Sequence, residues 1–198
     1  MKFTGLVSFF VTVASVSVLV AATPVATLSR SDITGRCSGC DSTSELVIQL
    51  VDKLHSDVSN TLALLDNYRA TGSNPTELFT RLTSQVNQCN NAMSAVGVNS
   101  VDVDPKSMIR NQVSTITGNM ILDMSAGCSK FRNVNIKDFD YAALSSKLDM
   151  ALKELCVALE ESMEGSLALI SAMCLPKSML LWEANMARCL TTFTTITL

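Results

Sequence analysis

Sustained alternation of apolar and polar residues, the mark of a half-buried strand, is missing from all 198 residues, so sheets drop out as the organising element. Histidine is almost missing too: His55 stands alone. A general base needs a positioned partner and a nucleophile, and no residue set here supplies them, so His55 reads as a plain helical side chain near the border of an apolar face. Neither a Gly-x-Ser-x-Gly elbow nor a phosphate-cradling glycine loop occurs. Asp102-Val103-Asp104-Pro105 lacks the glycine and the terminal glutamate of a calcium loop. Zinc needs four suitably spaced ligands, and Cys37-Ser38-Gly39-Cys40 has no second cysteine pair and only His55 to join it. The expectation is a protein that is not an enzyme, with no catalytic residue, no metal site and no cofactor.

Basic residues are sparse and dispersed. Their densest group is Lys130, Arg132 and Lys137, which reads as a solvated loop, and the formal net charge is −3. Nucleic acid, whose phosphates demand clustered Lys and Arg, is not an expected partner. Aromatic residues make up 5% of the chain, leaving few large rigid groups for a core.

What is present begins with a leader. Lys2 gives a small positive start, Leu6 to Val20 is mostly apolar, and Val20-Ala21-Ala22 places small residues at a cleavage position. Residues 1–22 therefore read as a secretory signal peptide. The apolar run is shorter than the ~20 residues a membrane span needs, and the mature chain is expected to have no transmembrane span. Residues 23–41 lack any sustained period and read as an extended arm. Residues 42–198 read as one helical-bundle domain.

Helical periodicity dominates that domain. The Ser42-Thr43-Ser44-Glu45 capping box introduces a helix with Val47, Leu50, Val51, Leu54, Val58, Leu62, Leu65 and Tyr68 on one side. Asn74-Pro75, followed by Glu77, starts a second, with Leu78, Phe79, Leu82, Val86, Cys89, Met93 and Val96 inward and Gly97 as its stop. Asp104-Pro105 starts a third, through Met108, Ile109, Val113, Ile116, Met120, Ile121 and Met124 to Gly127, with Gly118 costing about 1 kcal/mol relative to Ala. A loop over Cys128 to Lys137 leads to Asp138, the expected cap of a long fourth helix. Leu144, Leu148, Leu152, Leu155, Leu159, Met163, Leu167, Ile170 and Met173 recur along it. Unbroken from Phe139 to Met173 it would span about 50 Å, with Gly165 able to kink it. Cys174-Leu175-Pro176 breaks the run, and Met179, Trp182, Met186, Leu190 and Phe193 resume it. The predicted fold class is all-α, a bundle of about five helices with one long helix near the C-terminal half.

Seven cysteines, Cys37, Cys40, Cys89, Cys128, Cys156, Cys174 and Cys189, all follow the leader. In an oxidising compartment they are expected to staple the bundle with disulfides. Their odd number leaves one thiol free or pairs it with a second copy in a disulfide-linked dimer. The Cys37–Cys40 spacing before a helix favours a thiolate, but redox catalysts carry it after a strand, so a structural staple is preferred. Glu160, Glu161 and Glu164 read as a solvated face.

Methionine is the compositional signal with most bearing on function. It is flexible and fills irregular space, as ordinary core or as the wall of a ligand cavity. Met120, Met124, Met163, Leu167, Met173, Met179 and Met186 are the candidate ligand-binding residues.

Two stretches carry a family resemblance. In Leu46 to Gly97 a helix ending at Asp66-Asn67-Tyr68 is followed by a Gly-containing turn and a second helix from Leu78. In Phe131 to Phe193 a loop precedes a Leu-spaced helix, a break at Pro176 and a closing helix. This layout resembles the fungal secreted hydrophobic-surface-binding proteins and the related cell-wall mannoproteins. The resemblance implies a non-enzymatic helical protein that adheres to hydrophobic surfaces or holds fatty-acid-like amphiphiles between helices. Seven cysteines depart from the cysteine-poor members, and the Ser/Thr-rich tail of wall-anchored members is reduced to Thr191 to Thr197. Secretion to the medium is therefore expected ahead of cell-wall association. The rival expectation is a secreted interaction or effector-type protein acting through its surface on a host or neighbouring cell.

Overall fold

Two helices of strong apolar period joined by a glycine turn must fold back on each other, and they do. The computed structural model describes residues 42–96 and 108–196. The expected leader and arm, Cys37, Cys40, the Gly97 stop and the Asp104-Pro105 start lie outside them. Helix α1 (Ser42–Thr71) buries Val47, Val51, Leu54, Val58 and Leu65. It starts at Ser42, so the expected capping box falls inside its first turn. Gly72, at φ +68, ends it: the Ser73 amide donates to Tyr68 O and the Gly72 amide to Arg69 O, the paired bonds of a Schellman cap. Asn74 Oδ1 then accepts the Thr76 amide at 3.0 Å, opening α2 (Thr76–Val96). Leu78, Phe79, Leu82, Val86, Cys89 and Met93 face inward as their spacing predicts.

Helix α3 (Met108–Ser129) packs on α1 and on the C-terminal helices. Its glycines do not end or break it. A Cβ on Gly127 would sit 2.8 Å from Leu62 Cδ2, and one on Gly118 would sit 3.0 Å from Met173 Sδ. Both are points of close helix approach, so Cys128 is helical rather than in a loop. In the turn that follows, Phe131 is buried and joins Phe79, Phe139 and Tyr141 edge to face, with centroids 5.6 to 6.3 Å apart.

The expected long helix is two helices. Helix α4 (Tyr141–Ser162) is capped by Asp140, whose side chain accepts the Ala143 amide at 2.9 Å. Asp138 instead sits in the turn at φ +60. Gly165, at φ +87, separates α4 from α5 (Ser166–Cys174), since the left-handed region ends a right-handed helix and suits a residue without Cβ. A 3₁₀ turn (Leu175–Lys177) built on Pro176 leads to α6 (Ser178–Glu183) and then α7 (Ala187–Ile196). The all-α expectation holds for the described residues, which carry no strand. They lie in one compact unit over 38–198. Among them, no helix is long and apolar enough to cross a membrane.

Disulfide stapling finds no support here. Cys89, Cys128, Cys156, Cys174 and Cys189 are free and buried. They pack as small apolar side chains, and burial explains their inertness below.

Candidate functional site

The candidate ligand residues separate by depth. Met120, Met124 and Met186 are fully enclosed, and Met163 and Leu167 are nearly so. Met173 is half-buried and lies against Gly118. Met179 turns outward and is 69% exposed. The spacing that grouped Met179 and Trp182 with Met186 assumed one continuous helix. The chain instead restarts its helical phase at Asn185, at φ +63. The Met186 amide donates to Leu181 O at 2.9 Å and the Asn185 amide to Trp182 O at 3.0 Å, a second Schellman cap with Leu181 and Met186 as its buried apolar pair. Met179 and Trp182, three residues apart on α6, therefore share an outward face, with Trp182 61% exposed.

Helix α4 fixes this corner. Asn185 Nδ2 donates to Ser145 Oγ at 2.9 Å. Asp149, 1% exposed, accepts the amides of Arg188 at 2.8 Å and Cys189 at 3.0 Å. A carboxylate there supplies the free amides of the first turn of α7 with an acceptor and opposes the positive end of its dipole. Glu160 does the same for α5: its oxygens accept the Gly165 amide at 2.9 Å and the Leu167 amide at 2.7 Å. This corrects its assignment to a solvated face; Glu161 and Glu164 are exposed as expected. Sequence reasoning missed Asp149 as well, although a carboxylate next to Leu148 on an otherwise apolar stripe was a visible signal.

Two clefts flank α6. An apolar one of about 360 Å³ is lined by Arg132, Tyr141, Ala142, Trp182, Asn185 and Ala187. A polar one of about 290 Å³ is lined by Ser129, Lys130, Arg132, Asn133 and Glu183. Arg132 belongs to both. Tyr141 Oη donates to Glu183 O at 3.4 Å, and burial pushes its phenol up, Cys128 adds to that and Arg132 opposes it. Lys130 is held by Asp66 at 2.6 Å, while Arg132 forms no ion pair among the described residues. None of the seven candidate ligand residues lines either cleft. A further polar hollow of about 450 Å³ between α1 and α2, lined by residues such as Asp57, Arg81 and Gln85, is an open groove on the surface.

Burial pushes the Cys89 thiol up to about 11 and those of Cys128 and Cys174 to about 12. Burial, with Cys174 adding to it, raises the Cys156 thiol as well, and burial, Cys156 and Asp149 together hold the Cys189 thiol well above its ordinary value. Such thiols stay protonated and unreactive at neutral pH. His55 is half-buried on α1. Among the described residues, no group of three or more His, Cys, Asp or Glu is arranged to hold a metal ion. No protein-family model matches the chain, and no curated protein is detectably similar to it.

Proposed function

We propose that this is a secreted, non-catalytic protein that binds an apolar surface or an amphiphile through the outward face of α6. One observation carries the reading: Met179 and Trp182 stand 69% and 61% exposed on one helical face, beside a cleft of about 360 Å³. Large apolar side chains scattered singly over a surface are ordinary, as Met108 and Met150 are here. Two of them on one short helix, with an apolar cleft between it and α4, form a binding feature. The core methionines then serve packing, and their flexible thioethers fill irregular space in the interior.

The leader-like start of the chain and the layout-level likeness to hydrophobic-surface-binding proteins support the same role. A disulfide framework belongs to this proposal too, because a secreted chain with seven cysteines meets an oxidising compartment. No pairing is assigned. Bridged peptides in a non-reducing map support the framework, and seven free thiols contradict it. Equal mobility on reducing and non-reducing gels ends the disulfide-linked dimer.

The test of function is adsorption to an alkyl-coated surface. The wild-type chain is expected to adsorb saturably and the Met179→Ser/Trp182→Ser double variant to lose most of that binding. Equal adsorption by both contradicts the role of α6. Absence of adsorption by either favours the rival reading, a surface that recognises another protein.

A further inference from the structure

Arg132 and Glu183 line the same polar cleft and form no ion pair with each other. Opposite charges that share a cleft and do not meet leave room for something between them. Lys130, the other cation in that cleft, is already neutralised by Asp66 at 2.6 Å. Among the described residues, the cleft therefore offers one free positive group and one free negative group. Arg132 also lines the neighbouring apolar cleft together with Trp182, and Trp182 and Glu183 are consecutive in the chain. Charge and apolar surface thus run continuously across Arg132 from one cleft to the other.

Resting on the reading of α6 as a binding face, we propose that the two clefts together take a single-chain amphiphile with a zwitterionic head group. Its anionic group sits on the Arg132 guanidinium, whose planar fork suits phosphate or carboxylate oxygens. Its cationic group sits against the Glu183 carboxylate, whose charge favours a quaternary ammonium. Its chain enters the apolar cleft over Ala142 and Ala187. A simple fatty acid pairs with Arg132 and leaves Glu183 without a partner. A simple alkylammonium does the same to Arg132. The zwitterion satisfies both, so the head group, rather than the chain, sets the preference. At about 360 Å³ the apolar cleft is at the small end of the ~300–1,000 Å³ typical of ligand sites, which suits one chain and excludes two.

Trp182 is the single tryptophan of the chain and reports on the site directly. The experiment titrates the full chain with dodecylphosphocholine, dodecanoate and dodecyltrimethylammonium, each below its micellar concentration, and follows Trp182 emission. The expected result is saturable binding of the zwitterion about tenfold tighter than either singly charged analogue, the difference made by one additional charge contact. Glu183→Gln is expected to erase the preference over dodecanoate, and Arg132→Gln the preference over dodecyltrimethylammonium. Both positions are exposed, and circular dichroism checks that the variants fold. Equal affinity for all three amphiphiles, or preferences unchanged in the two variants, overturns the head-group assignment and leaves the apolar-face reading standing. No saturable binding by any amphiphile overturns the site outright, and adsorption to an alkyl-coated surface then decides whether the broader reading falls with it.

Discussion

Asp149 Oδ1, buried on α4, accepts the main-chain amide of Cys189 on α7 at 3.0 Å, and Asp149 Oδ2 takes the Arg188 amide beside it at 2.8 Å. A side chain forty residues away thus caps the closing helix and holds the corner that displays Trp182. Arg188 Nη1 adds a long ion pair at 3.8 Å to the same carboxylate, and its half-exposed position limits what that charge contributes. Asp149→Ala is expected to lower the unfolding free energy by about 2–4 kcal/mol, combining a lost cap with orphaned buried amides. Asp149→Asn, which keeps one acceptor, is expected to cost less, about 1–2 kcal/mol. Urea unfolding followed by circular dichroism measures both, and a neutral Asp149→Ala contradicts the capping role.

The break between α4 and α5 rests on backbone conformation. Gly165→Ala places a Cβ at φ +87, 3.1 Å from Arg110 Nη1, and is expected to destabilise by about 1 kcal/mol or more. Gly118→Ala meets the flexible end of Met173 and regains helix propensity of about 1 kcal/mol, so its net effect is expected to be small. Gly118→Val, with no room for two further methyl groups, is expected to destabilise clearly. Thermal melts of the three variants check the order.

Core and surface methionines are expected to respond oppositely. Met120→Ala removes a fully enclosed side chain and is expected to cost about 2–5 kcal/mol while leaving adsorption unchanged under conditions where the fold persists. Met179→Ser is expected to change stability by about 0.5 kcal/mol or less and to weaken adsorption. Paired unfolding and adsorption measurements separate the two classes. Loss of adsorption in Met120→Ala with the fold intact returns the ligand site to the interior.

Alkaline pH is expected to unfold the reduced protein through its thiols. Burial raises Cys89 from 9.0 to about 11 and Cys128 to about 12, so the unfolded chain releases these protons first. The stabilisation is complete below pH 9 and is lost as pH rises from 9 toward those values. Within that window each raised thiol removes about 1.4 kcal/mol per pH unit. Urea midpoints at pH 8, 9 and 10 under a phosphine reductant measure the slope, and a flat profile contradicts burial of the free thiols.

Helix faces were legible where one helix met one neighbour. Leu78 to Met93 on α2 followed their spacing because a period of 3.6 fixes which side chains share a side. Interruptions were less legible. Gly165 reads as a tolerable kink, yet Glu160 stabilises a full break by taking the Gly165 and Leu167 amides, a bond that periodicity does not encode. Asp138 and Asp140 are equally good caps by type, and only the turn around Phe131 and Phe139 selects Asp140. The proposed site was hidden for the same reason: Met179 and Trp182 keep the interval of an inward stripe, and the cap at Asn185 turns them outward. Gly118 and Gly127 read as a weak point and a stop, while the spatial neighbours Met173 and Leu62 make them contact points.

The most direct measurement is acrylamide quenching of Trp182 emission, free in solution and with the protein adsorbed on alkyl-coated particles. Contact through α6 predicts a blue-shifted emission and a severalfold drop in quenching on adsorption. Emission and quenching unchanged by adsorption would contradict it, because another face would then be carrying the surface.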